Sequence, residues 1–157
     1  MFIDDATGRP TQWYFAPSET TAAYREVLRR HLALYGRPVA LYSDRHSIFR
    51  INREDPANGQ TQTQFGRALA GLEIEAIHAH TPQAKGRVER TNQTLQDRLV
   101  KELRLRGIRD IDSANAFLPE FIADYDRRFA VTPVSSVDAH RPVVTQRPRA
   151  RSSALRA

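Results

Sequence analysis

A chain of 157 residues, 40% of them hydrophobic, holds one domain with a real core plus tails. Its net charge is +6, but Arg141 to Ala157 brings five Arg and no acid, and Lys85 to Arg109 brings eight Lys/Arg against three Asp/Glu; this clustering fits a nucleic-acid binder, with a plain soluble basic surface as the other reading. With no Cys, a disulfide framework and a cysteine-ligated zinc site are excluded; no apolar run nears the ~20 residues of a membrane span and no signal-peptide pattern opens the chain, which therefore reads as cytoplasmic.

Met1–Asp4 is a short apolar run that ends in the turn Asp5-Ala-Thr-Gly-Arg-Pro, and Gln12–Ala16 is rich in aromatics, so the two read as a hairpin. Ser18 is read as the N-cap of a helix with Glu19 in its first turn, a buried stripe of Ala23, Val27, Leu28, His31, Leu32, Leu34 and Tyr35, and a stop at Gly36. Pro38–Ser43 reads as a buried strand with Asp44 just past its end. The polar stretch from Ile48 to Gln60 reads as an excursion, Thr63–Ala70 as a short helix closed by Gly71, and Glu73–His78 as an alternating strand. Pro82 and Gly86 punctuate a loop that runs into a helix over 88–106, whose apolar positions are Val88, Leu95, Leu99 and Leu103. Ser113 is read as capping the last helix, through Phe129, which buries Phe117, Phe121, Ile122 and Tyr125. The end of the chain, with Pro142, Pro148, Ser152 and Ser153, reads as disordered. Strands alternating with helices make the fold class α/β.

Two acids stand out from this order. Asp44 follows a strand end, the edge where ligands gather in open α/β sheets. Glu89, read as lying in the first turn of its helix, sits at the positive end of the helix dipole and amid basic residues, as expected of a carboxylate that meets a phosphate backbone through a metal ion. Carboxylates suit the hard cation Mg²⁺, and a pair of such ions ~3.5–4 Å apart activates the attacking oxygen and stabilises the leaving one in phosphoryl transfer. On the residues alone, a solvated Asp and a capping Glu explain both positions as well. Lys85, Arg87 and Arg90 flank the acid and would neutralise phosphates. Gln93 and Gln96 lie one and two turns beyond it, placed either to touch DNA or as a solvated polar face. Arg147, Arg149 and Arg151 read as a salt-sensitive DNA arm or a solubilising tail. His78 and His80 alternate on a strand without a third His nearby, and His46 reads as a loop histidine.

Tyr42-Ser-Asp-Arg-His-Ser-Ile-Phe49 resembles the S-D-x-x-x-x-F segment of the integrase core, and Pro82-Gln-Ala-Lys-Gly-Arg-Val-Glu-Arg-Thr-Asn92 resembles its P-x-x-x-G-x-V-E-R-x-N segment. Phe2-Ile-Asp-Asp-Ala-Thr-Gly8, Phe121-Ile-Ala-Asp-Tyr-Asp-Arg-Arg-Phe129 and Asp138-Ala-His-Arg-Pro142 are also similar to bacterial insertion-sequence transposases of the ISNCY type. The resemblance, over about residues 1 to 142, is to the DDE transposase and retroviral integrase superfamily. It implies an RNase H-like mixed sheet flanked by helices, with Arg50–Gln62 as an insertion. It also implies that Asp44 and Glu89 are the second and third metal-binding catalytic acids, served by Mg²⁺ or Mn²⁺. In that family Phe2–Gly8 is the second strand and the first acid lies upstream of it, so Asp4 and Asp5 are not the expected first acid. The expectation is a truncated core: residues 1–130 as part of the catalytic domain without its first strand, and residues 131–157 as a basic extension. The implied function is cutting transposon ends and joining them to target DNA as a homo-oligomer when whole, inactive in the form printed. The alternative is a non-catalytic fragment that binds DNA or co-assembles with an intact transposase.

Overall fold

The fold opens with a hairpin, antiparallel β1 (Phe2–Ile3) and β2 (Pro10–Gln12), in a computed structural model that describes residues 1–43, 63–78 and 82–143. Its turn closes on Asp4. The Asp4 N–H donates to the Arg9 carbonyl at 2.8 Å, its carbonyl accepts from Gly8 N–H at 2.8 Å, and its carboxylate accepts from the Thr7 hydroxyl. Asp4 is therefore a turn-forming residue.

Helix α1 (Thr21–Tyr35) follows. Thr20, not Ser18, is its cap: the Thr20 hydroxyl accepts from Ala23 N–H at 3.2 Å, so Ser18 and Glu19 lie ahead of the first turn. The buried stripe contains Val27, Leu28 and His31, with Leu32 and Tyr35 half-buried beside it, but Leu34 is 68% exposed. Gly36 ends the helix at φ +86°. A Cβ there would stand 2.7 Å from the Arg141 carbonyl oxygen, so glycine is required both by the backbone angle and by the close approach.

That approach belongs to a clasp that the sequence reading did not foresee: β3 (Arg37–Pro38) pairs antiparallel with β6 (His140–Arg141). The Arg37 guanidinium donates to Leu72 O (2.7 Å) and to Glu73 Oε2 (2.6 Å), and Arg141 donates to Glu73 O (2.9 Å). On the other side of the clasp His31 and His140 bring their Nε2 atoms to 3.1 Å.

Strand β4 (Ala40–Ser43) runs parallel to β5 (Glu75–His78), from Ala40 opposite Glu75 to Ser43 opposite His78. Between them in the chain lies α2 (Gln64–Gly71), capped by Thr63, whose hydroxyl accepts from Gly66 N–H at 3.0 Å. β4 is not the buried strand expected: its residues are half-buried and Tyr42 is 59% exposed. Among the described residues the strands form three separate two-stranded sheets, β1–β2, β3–β6 and β4–β5, with no pairing between β1 and β4. The architecture is thus mixed α/β.

Helices α3 (Pro82–Leu105) and α4 (Ile111–Phe129) complete it. The α4 cap is Asp110, whose carboxylate accepts from Ser113 N–H at 2.8 Å; Ser113 stands inside the helix rather than at its cap. Two cores result. In one, Leu28, Phe65, Leu69 and Ile74 pack with Phe2, Tyr24 and Leu41. In the other, Leu95, Leu99, Phe117, Leu118, Phe121 and Tyr125 pack with Met1, Trp13 and Phe15.

Two predictions follow from the clasp. Burial of His31 pushes its pKa down to about 4, chiefly by desolvation, while unfolding restores an ordinary imidazole near 6.5. The unfolded state then binds the extra proton between those values, so stability holds above pH 6.5 and falls by up to about 3 kcal/mol as the pH drops to 4. Urea unfolding at pH 7 and pH 4.5 reads the loss, and His31→Phe flattens it. Gly36→Ala should cost at least about 1–2 kcal/mol, from the left-handed backbone angle plus the displacement of Arg141, measured as a lowered Tm.

Candidate functional site

The parallel register of β4 and β5 brings their C-terminal ends, Ser43 and His78, to one edge of the sheet. From that edge the chain leaves β4 directly into Asp44, and leaves β5 through residues 79–81 into Pro82, the first residue of α3. Three linking residues make four Cα–Cα steps, at most ~14 Å, so the start of α3 is tethered to the same edge as Ser43. Asp44 itself lies outside the described residues, as do His46, His80 and the tail arginines Arg147, Arg149 and Arg151.

Glu89 is described, and its environment differs from the expectation in one respect. The loop read over Pro82–Arg87 is helical: Pro82 is the first residue of α3 and Gly86 lies within it. Proline suits that first position because it lacks an N–H that would go unpaired there and its φ is already helical. Glu89 therefore comes seven residues after Pro82, roughly 10 Å along the axis. The dipole of the helix end fades within a turn, so it does not favour a carboxylate at Glu89. The first turn of α3 contains no acid.

What α3 supplies is a rigid stripe. Leu95 is fully buried and Leu99 is 2% exposed, both packed on Phe117, Leu118 and Phe121 of α4. Glu89, Gln93 and Gln96 are exposed, and their positions on the helix lie roughly 100° around from those leucines. Glu89 has no hydrogen-bond or ion-pair partner among the described residues. Lys85 shares the stripe by register, one turn before Glu89, whereas Arg87 and Arg90 fall elsewhere around the helix. The side chains of Lys85, Arg87, Arg90 and His78 lie outside the described residues. Further along α3, Lys101 pairs with Asp97 at 2.7 Å and the Arg98 guanidinium covers the Phe129 ring at 4.4 Å.

Among the described residues no group of three or more His, Cys, Asp or Glu stands where it would hold a metal ion. By residue type the two candidate acids suit a hard cation: Glu89 is exposed, with no partner among the described residues, and Asp44 is the residue after β4 in the sequence. No helix of the described residues is long and apolar enough to cross a membrane.

Comparison with known proteins bears on the same segment. Residues 70–128 match the family model described as integrase core domain, a range that contains Glu89, all of α3 and most of α4. The chain is 55% identical over 143 residues to "Putative transposase y4bF" of Sinorhizobium fredii, covering 91% of this chain and 31% of that protein. It is 37% identical over 149 residues to the transposase for insertion sequence IS1202 of Streptococcus pneumoniae, covering 94% of this chain and 32% of that one. It therefore spans about a third of the length of these relatives. In fold it is similar to a chain of a simian T-cell lymphotropic virus intasome solved by cryo-EM in complex with PP2A regulatory subunit B56 gamma. There the TM-score is 0.50 and the identity 20%, covering 85% of this chain and 46% of that one.

The geometry separates support from chemistry along α3. Leu95→Ala should cost about 2–5 kcal/mol of stability because it empties a closed core site, whereas Glu89→Ala, on the exposed stripe, should stay within about 0.5 kcal/mol. Chemical unfolding of the two variants checks the contrast.

Proposed function

The chain belongs to the DDE transposase and integrase catalytic-core family, and on that premise we propose that it is part of a core that cuts transposon ends and joins them to target DNA. The observation that carries this reading is Glu89: an exposed carboxylate with no partner among the described residues, on a helix braced by a leucine core and tethered to the sheet edge where Asp44 follows β4. Asp44 and Glu89 would hold Mg²⁺ or Mn²⁺, hard ions that prefer carboxylate oxygens. When bound, such ions supply Lewis-acid stabilisation of the attacking and leaving oxygens in phosphoryl transfer.

The residues of the chain do the rest. Gln93 and Gln96 extend the Glu89 stripe by one and two turns and would hydrogen-bond the DNA backbone, fixing its register without reading its sequence. Lys85, on the same stripe, together with Arg87 and Arg90 elsewhere around the helix would neutralise phosphates, which makes binding steeply salt-dependent. The fold we infer is RNase H-like. Phe2 of β1 and Leu41 of β4 pack on one core although the two strands are unpaired, the arrangement expected where a further strand lies between them. Action on two DNA ends favours a homo-oligomer in the whole protein.

The test is a strand-transfer assay with Mg²⁺ or Mn²⁺ on the protein encoded by the whole reading frame that contains these 157 residues. Transfer should be detected, and Glu89→Gln should lower it by about 100-fold or more, the scale of losing one preorganised electrostatic stabiliser, with DNA binding unchanged. Full transfer by the Glu89→Gln protein would remove Glu89 from the mechanism. Salt-sensitive DNA binding with no transfer by either protein would favour the non-catalytic alternative.

A further inference from the structure

We propose that His31 and His140 form a transition-metal site that clips the C-terminal segment to the core, apart from the Asp44 and Glu89 edge. The geometry is that of two imidazole ligands on one ion. Their Nε2 atoms stand 3.1 Å apart. Two nitrogens each ~2.0–2.1 Å from a tetrahedral ion are roughly 3.3–3.4 Å apart, so a shift of a few tenths of an ångström admits the ion.

Both rings are already oriented for ligation through their other nitrogens. His31 Nδ1 lies 3.0 Å from Thr11 Oγ1, and His140 Nδ1 lies 2.8 Å from Asp138 Oδ1. An oxygen held on the far nitrogen fixes the ring plane, as around metal-bound histidines generally. Asp138 is itself fixed, because Oδ1 also accepts from His140 N–H at 2.9 Å. The site is walled by the Phe2 ring, edge-on to His31 at 5.7 Å, and by Tyr35, at 5.2 Å from His31 and 6.0 Å from His140.

The proton arrangement closes in both states. Without an ion, His140 donates from Nδ1 to Asp138, its Nε2 accepts from His31 Nε2–H, and the Thr11 hydroxyl donates to His31 Nδ1. With an ion, the His31 proton sits on Nδ1 and is donated to Thr11 Oγ1, which frees both Nε2 lone pairs and releases no proton overall. His31 is 4% exposed and Asp138 has a 77% exposed side chain, so the ion would sit at the rim of the core with water completing its shell. Neutral imidazoles suit Zn²⁺, Ni²⁺ and Cu²⁺, and Co²⁺ serves as a coloured probe of the same geometry.

The test titrates the metal-free chain with Zn²⁺ and with Co²⁺. We expect one equivalent of Co²⁺ to give a visible d–d band, and Zn²⁺ at about 100 times its Kd to raise Tm by roughly 5–10 °C. His140→Gln, a change at the partly exposed ligand, should abolish both while circular dichroism shows a folded chain. Asp138→Asn should weaken binding by about 10–100-fold. A His78→Ala/His80→Ala double variant should bind as the unaltered chain does. No metal-dependent band or Tm shift in the unaltered chain, or binding undiminished by His140→Gln, would overturn the proposal.

Discussion

A strand shows its successive side chains to opposite faces, and this molecule hangs its two cores on that alternation in the first hairpin. Met1 packs with Leu95, Leu99 and Phe121, while Phe2, the next residue, packs with Leu28, Phe65 and Leu69. The hairpin is thus a shared wall, with α1 against one face and α4 against the other. Beyond β2 the wall has no partner strand among the described residues, and Asn115 of α4 takes the role of one. Its side-chain oxygen accepts from Phe15 N–H at 2.8 Å and its side-chain nitrogen donates to Phe15 O at 2.9 Å. Both backbone groups of Phe15 are satisfied by one side chain, which keeps Trp13 and Phe15 in the α3–α4 core.

This division bears on the site because its two acids are carried by different cores. Glu89 rides on α3, whose Leu95 and Leu99 belong to the α3–α4 core. Asp44 follows β4, whose Leu41 packs on the core of α1 and α2. The elements that carry the two candidate positions belong to different cores that share this wall, and close packing makes such a wall stiff.

Much of this was legible in the chain, and the failures have local causes. Period and composition placed α1, the short α2 and α4, because each buries an apolar stripe of ordinary spacing, and β5 within two residues; the hairpin was foreseen with its second strand over Gln12–Ala16, whereas β2 is Pro10–Gln12. Caps were misplaced where two competent side chains stand close together. Thr20 wins over Ser18, and Asp110 over Ser113, by which hydroxyl or carboxylate reaches a free N–H three residues on. Pro82 and Gly86 were read as loop residues, yet a proline at the first helical position is an asset. A glycine inside a helix costs only about 1 kcal/mol, which Leu95 and Leu99 packing offsets. At the site, the exposure of Glu89, Gln93 and Gln96 matches their place on the polar side of α3, while the chemical role of Asp44 and Glu89 came from resemblance and not from spacing. The clasp left no sign, since Arg37 and Arg141 lie far apart in the chain and two-residue strands have no periodicity to read.

The clasp also explains how a like-charged pair survives in register. Arg37 and Arg141 stand opposite each other, an arrangement that ordinarily repels. Both are turned onto the bend at Glu73, a non-glycine residue at φ +53°, whose carbonyl, carboxylate and preceding carbonyl absorb three of their N–H groups. The bend that costs backbone strain at Glu73 is thus the same one that presents acceptors to two guanidiniums. It lies just before β5, as Arg37 and Pro38 lie just before β4, so the clasp closes the N-terminal ends of the parallel strands. The C-terminal ends, from which the chain leads on to Asp44 and to α3, lie a strand length of roughly 10 Å away. One short pair of strands therefore separates the clasp, where the bend at Glu73 offers acceptors to two guanidiniums, from the end that leads into Asp44 and α3.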